Sequence, residues 1–181
     1  PDSPRAFKAI PYYAWAHRGR TPMTVWPARV TEAARPKPAD TVSYLSKTTA
    51  SFVHVSLDAI KDQNVPANSA DSSALQLDFW PHKGGVEWVQ FEWEEEHEFS
   101  SVKVYWFDDT DRGECRVPKA WRVFYRDADG QFQPVTTEDA YGTEVDQFNR
   151  VEFERVSTSA VKLEIILQEE WSAGIQEVVI E

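Results

Sequence analysis

One cysteine, one methionine and seven glycines in 181 residues leave little room for several kinds of protein. Cys115 alone cannot close an internal disulfide or build a cysteine-rich zinc site, and it says little about the redox compartment. Stability must come from a packed core. His17, His54, His82 and His97 stand apart, without the short spacing that zinc ligands need. Basic residues are scarce: 19 Lys and Arg face 30 Asp and Glu, and the net charge of −11 opposes phosphate backbones, so no nucleic-acid partner is expected. No run approaches the roughly 20 apolar residues that cross a bilayer, and no charged-then-apolar leader opens the chain, so no membrane partner is expected. The chain starts at Pro1 and crowds aromatic residues between Phe7 and Trp26, which suggests a piece of a longer polypeptide. Helical periodicity is nearly absent, with residues 56–61 offering one turn at most.

What remains is strand pattern. Val89, Phe91 and Trp93 alternate with Gln90, Glu92 and Glu94, and Val102, Val104 and Trp106 alternate with Lys103, Tyr105 and Phe107. The same period of two runs through 121–126 and 161–168, with shorter candidates at 132–135, 151–153 and 178–180. Asp127-Ala128-Asp129-Gly130 has hairpin-turn chemistry. Seven or more short strands joined by polar turns predict an all-β protein, an antiparallel β-sandwich. Pro36 and Pro38 mark an exposed linker that we place at 31–45.

Several groups could carry chemistry. The acidic run 94–98 reads as a solvated loop, because consecutive carboxylates repel each other and prefer water. A glycosidase would need two carboxylates about 5 to 9.5 Å apart; Glu87, Glu92, Asp108 and Asp109 are available, but their spacing singles out no pair. Cys115 lies between Arg112 and Arg116, which would favour a thiolate, yet no His partner stands near it in sequence and it reads as structural. The segment 58–71 is dense in oxygen ligands that Ca²⁺ could use, and equally suits a polar surface loop with Asx turns. Trp80 and Trp171 sit among turn residues, where a ring either stacks on a sugar or plugs the end of the sandwich. His82 and Lys83 follow Trp80 and could hydrogen-bond a sugar, while Asp108, Asp109, Arg112 and Arg116 share one loop whose planar groups suit sugar hydroxyls or an internal salt-bridge network equally well.

Particular stretches resemble a known family: AIPYYAWAHRG at 9–19, MTVW at 23–26, FWPHKG at 79–84, EWVQ at 87–90, VYWFDD at 104–109, CRVPK at 115–119 and FNRV at 148–151. Together they resemble the C-terminal region of bacterial β-L-arabinofuranosidase-like glycoside hydrolases, formerly a domain-of-unknown-function family. The resemblance implies that residues 1–30 are closing strands of a preceding β-sandwich. It also implies that residues 46–181 form a discoidin-type, galactose-binding-like jelly roll. The family's catalytic glutamate and zinc cysteines belong to an (α/α) barrel outside this sequence, so no catalytic residue carries over and the chain is expected not to be an enzyme. The expectation is instead a monomeric accessory module of a periplasmic or extracellular hydrolase, binding plant cell-wall carbohydrate or packing on the barrel. Such modules often hold structural Ca²⁺ through an early Ala-x-Asp-Gly loop and a late Glu. Here Ala59, Asp62, Asn64 and Glu177 would be the ligands, with one extra residue in the loop and Gln63 where Gly is usual.

Overall fold

In a computed structural model, the described residues are 37–181. Residues 1–30, expected to be closing strands, therefore lie outside the described residues, as does the linker up to residue 36. A helical turn, α1 (Val42–Leu45), opens the domain, and Thr41 caps it by accepting a hydrogen bond from the Tyr44 amide at 3.2 Å. The end of the expected linker is thus ordered against the domain, with the Ser43 hydroxyl buried and accepting from the Ile180 amide.

Seven strands follow: β1 (Lys47–Ala50), β2 (Leu77–Asp78), β3 (Val86–Phe107), β4 (Ala120–Arg126), β5 (Phe132–Pro134), β6 (Phe148–Ile166) and β7 (Gly174–Ile180). A 3₁₀ turn at Asp58–Lys61 falls within the one-turn helix expected at 56–61. All strand pairs are antiparallel, in the order β2-β7-β3-β6-β4-β5 with β1 on β3.

Two long strands create both layers. The first half of β3 pairs with β1 and with the last part of β6, which also carries β4. The second half of β3 pairs with β7 and with the start of β6. Between the halves, the β3–β6 register shifts from Glu92 to His97, a bulge that bends the pair over onto itself. The acidic run expected to be a loop is therefore strand. It is exposed, as carboxylates require, but it forms the bend of β3.

Alternation along both halves sends Val89, Phe91, Val102, Val104 and Trp106 to the interior. The layers meet where Trp106 of β3 contacts Trp121 of β4 edge to face, with ring centroids 5.6 Å apart. Folding β3 and β6 in this way brings the start and finish of β3 to the same end of the sandwich. The loops at 79–85, 108–119 and 167–173 therefore converge there.

Candidate functional site

Backbone hydrogen bonds weld these loops into one platform. The Phe79 amide donates to the Ala173 carbonyl (3.0 Å), Gly84 to Gln168 (2.8 Å) and Lys119 to Ile166 (2.9 Å). Ser172 donates to Glu114 (3.0 Å) and Arg116 donates back to Ser172 (2.9 Å). Side chains finish the 108–117 loop from inside. The Asp108 carboxylate accepts from the amides of Thr110 (3.0 Å) and Val117 (3.1 Å), and that of Asp109 accepts from the Cys115 amide (2.9 Å). A Cβ at Gly113 would lie 1.9 Å from Asp109 Oδ2, so a side chain there would displace the carboxylate that holds the Cys115 amide.

A cleft of about 440 Å³ opens in the platform beside Trp80. Its floor is Asp78, 3% exposed, which accepts from His54 Nδ1 (2.8 Å), the Trp80 amide (3.2 Å) and Gln76 Nε2 (3.3 Å). Val55 and Phe107 give it apolar surface, and Asp109 and Glu114 give it carboxylates. Trp80 is 41% exposed, and its indole Nε1 donates to Glu114 Oε2 at 2.9 Å. The other Glu114 oxygen accepts from Lys83 at 2.8 Å, and the Lys83 and Trp80 hydrogen bonds hold this carboxyl below its ordinary range. An exposed aromatic face is thus fixed in one orientation next to hydrogen-bonding groups.

Of the residues singled out in the sequence, Trp80, Asp109 and the buried Cys115 line this cleft, and Lys83 braces its lip through Glu114. His82 stands beside it, bonded to Glu87 at 2.7 Å with its ring 4.2 Å from Phe52. Trp171 lines a separate depression of about 560 Å³ with Lys119 and Glu170. The Arg116 guanidinium lies 4.2 Å from the Trp171 ring centre. Asp108 borders a third hollow of about 270 Å³ with Ser69 and Asp146, and Arg112 turns that way to donate to the Ala70 carbonyl. Gln76, Asp78 and Glu114 were not singled out, and His54 was read only as an isolated histidine; the only local signal was the placement of Asp78 two residues before Trp80.

The groups considered for catalysis are otherwise employed. Cys115 is 4% exposed, and burial, with the charges of Asp78 and Asp109, pushes its thiol up to about 12. Arg116 does not activate it, being occupied by Asp109 at 3.4 Å and by the Cys115 and Gly113 carbonyls. Glu87 holds His82 and Ser51, Glu92 pairs with Arg126, and Asp108 and Asp109 tie their own loop.

The expected calcium residues divide into a core and a margin. Ala59 is buried in the 3₁₀ turn, Asp62 Oδ1 accepts from the Asn64 amide at 2.8 Å, and Gln63 adopts a left-handed φ of 62° where the family pattern has Gly. Glu177 of β7 is 1% exposed and has no hydrogen-bond partner for Oε2. Burial, and secondarily the Asp62 carboxylate, push its acid up to about 8. Among the described residues no three His, Cys, Asp or Glu converge as a metal site. A hard cation here would need the two carboxylates plus carbonyl oxygens, and the orphaned Glu177 oxygen fits that demand. Farther along the same segment, the Asn68 and Asp71 side chains cap backbone amides as Asx turns, the other arrangement that the sequence allowed.

The family model for the glycoside hydrolase family 127 C-terminal domain matches residues 2–28. No curated protein matches the chain. Among solved structures, the chain is similar to one from the β-galactosidase BgaA of Streptococcus pneumoniae. That match has a TM-score of 0.63 and 15% identity, and covers 80% of this chain and 96% of that one. Another is CpGH89CBM32-5 from Clostridium perfringens, in complex with GalNAc-β-1,3-galactose, at TM-score 0.52 and 12% identity over 75% of this chain and 94% of that one. A third is chitosan-binding module 2 of a chitosanase/glucanase from Paenibacillus sp. IK-5, in complex with chitotriose, at TM-score 0.50 and 14% identity over 77% and 98%. The likeness is one of fold: the described chain has the all-β architecture of such carbohydrate-binding modules.

Proposed function

We propose that residues 38–181 are a non-catalytic carbohydrate-binding module of a bacterial glycoside hydrolase, periplasmic or extracellular, that acts on plant polysaccharide. The observation that carries this reading is Trp80, a partly exposed indole held by Glu114 over a cleft with a polar floor. A sugar ring offers a C–H face and a rim of hydroxyls. Trp80 suits the face, while Asp109, Glu114 and His54 suit the rim. The module works by holding the parent enzyme at its substrate and so raising effective concentration. The match at residues 2–28 supports a glycoside-hydrolase parent and the solved structures support a carbohydrate-binding-module fold; a β-L-arabinofuranosidase-like parent and a discoidin-type, galactose-binding-like module working as a monomer are part of the proposal. A structural Ca²⁺ held by Asp62 and Glu177, with Ala59 and Asn64 beside them, would offset the repulsion between the half-buried Asp62 and the buried Glu177.

Calorimetric titration of the chain with arabinan, arabinogalactan and galactan fragments, with and without Ca²⁺, tests the reading. A saturable signal of roughly −4 to −8 kcal/mol that disappears in Trp80→Ala supports it. A blank with every glycan overturns it.

A second reading has its own observation: Val53, Val55 and Leu75 are also exposed, at 42%, 44% and 49%. Apolar surface of this kind suits packing against the parent's catalytic barrel. That reading predicts that deleting residues 46–181 lowers the parent enzyme's melting temperature, and an unchanged melting temperature would dismiss it.

A further inference from the structure

The cleft beside Trp80 and the depression beside Trp171 are not independent features. They are the two flanks of one ridge, built from Lys83, Glu114 and Arg116. Glu114 accepts from the Trp80 indole at 2.9 Å on one flank and from Lys83 at 2.8 Å on the other. The same Lys83 ammonium lies 5.9 Å from the Trp171 ring centre. Arg116 likewise serves both sides, reaching Asp109 in the cleft wall while stacking 4.2 Å from the Trp171 ring centre. The ridge is tied at its base, where the Ser172 amide donates to the Glu114 carbonyl and the Arg116 amide donates to the Ser172 carbonyl. Both indoles are therefore mounted on one braced support, Trp80 exposed and Trp171 half-buried with the Arg116 guanidinium over one face.

The two flanks also differ in kind. The cleft has a buried polar floor in Asp78 with His54 above it, which gives a single sugar a defined orientation. The depression is broad and shallow, with Lys119, Gln168 and Glu170 around Trp171, which suits a loosely held neighbouring unit. Lys83 and Arg116 on the ridge are balanced by Glu114 and Asp109, so a chain crossing it meets paired charges.

We infer that this end of the sandwich is a two-subsite platform for an internal run of an uncharged glycan chain, with one unit seated at Trp80 and a later unit resting at Trp171 across the Lys83–Glu114–Arg116 ridge. The inference rests on the carbohydrate-binding reading and deepens it. A single-pocket module would bind a chain end and ignore length, whereas a two-subsite platform selects for length. Linking the subsites by the ligand's own backbone makes the second contact intramolecular, and affinity grows without any change in the first.

The test is calorimetric titration of the full chain with arabinose and galactose and with linear arabino- and galacto-oligosaccharides of increasing length. Affinity is expected to climb at least tenfold from the monosaccharide to the oligomer that spans the ridge, then level off. Trp171→Ala is expected to abolish that gain. Glu170→Ala, an exposed residue of the depression outside the braced ridge, is expected to reduce it even if Trp171→Ala folds poorly. Affinity that is independent of length, or a gain that survives both variants, overturns the two-subsite platform while leaving a single-site module standing. No binding by any sugar in the series, together with a blank on the polysaccharides, removes the module reading and the platform with it.

Discussion

The two ends of the sandwich are similar in composition and differ in use. At the loop end Trp80 stands with His54, their ring centres 5.0 Å apart, and with the carboxylates of Asp78, Asp109 and Glu114 around a cleft of about 440 Å³. At the bend of β3, Trp93 stands with His97 at 5.9 Å and with Glu92, Glu94 and Glu95 around a hollow of about 600 Å³. Yet the Trp93 indole spends its N–H on the Val42 carbonyl, and its ring packs 4.8 Å from that of Phe99, which is buried. Trp93 closes the core where the sheet folds over. Trp80 presents its face outward, braced from behind by a carboxylate. An aromatic residue among acids does not define a site; what the indole N–H is tied to, and which face is left open, decides.

That contrast can be broken by mutation. The largest effect is expected at the bend: Trp93→Ala should cost about 2 to 4 kcal/mol in urea unfolding and leave sugar affinity alone, because it opens a cavity beside Phe99. Trp80→Ala should do the reverse, costing less than about 1 kcal/mol of stability while sugar affinity falls at least tenfold, or about 1.4 kcal/mol. Exchange of these two outcomes would invert the assignment of the ends.

Next in size is the calcium proposed at Glu177. Its folded acid is raised to about 8 from an ordinary 4.5, so in EDTA the stability that this group contributes is full below about 4.5 and is lost as pH rises toward 8. Added Ca²⁺ should raise the melting temperature by several degrees at neutral pH. Glu177→Gln should abolish both the calcium response and this part of the pH profile. A melting temperature indifferent to calcium at neutral pH would remove the ion from the account. The smallest effect is expected at Arg155→Ala, which breaks an exposed 3.2 Å pair with Glu98 near the bend; it should stay within about 0.5 kcal/mol in the same urea assay. A larger loss would mean that the acidic bend carries more than solvation.

Much of this architecture was legible in the alternation. The runs at 89–94 and 102–107 are both strand, as are those at 121–126 and 178–180, and the turn ending at Gly130 has the positive φ of 79° that its glycine suggests. The joining of runs was not legible. Residues 89–94 and 102–107 are halves of one strand, and the acids between them lack inward apolar partners because the chain there turns a corner with both faces in water. At the site, Trp80 and Asp109 stood out because turn residues surround them. Glu114 did not, since it meets Trp80 across 34 positions of sequence and only the loop ladders bring the two together. Nor did the burial of Cys115 follow from its arginine neighbours, because Arg116 turns away to Asp109 and Trp171.

The most direct test of the account is to follow the indole N–H resonances of the eight tryptophans in the ¹⁵N-labelled chain during titration with an arabino- or galacto-oligosaccharide, after assigning Trp80 and Trp93 by substitution. The account predicts that the Trp80 resonance shifts saturably, because its N–H sits on Glu114 beneath the bound sugar, while that of Trp93 stays in place. A titration in which Trp93 moves and Trp80 does not, or in which no indole responds to any of the sugars, would contradict it.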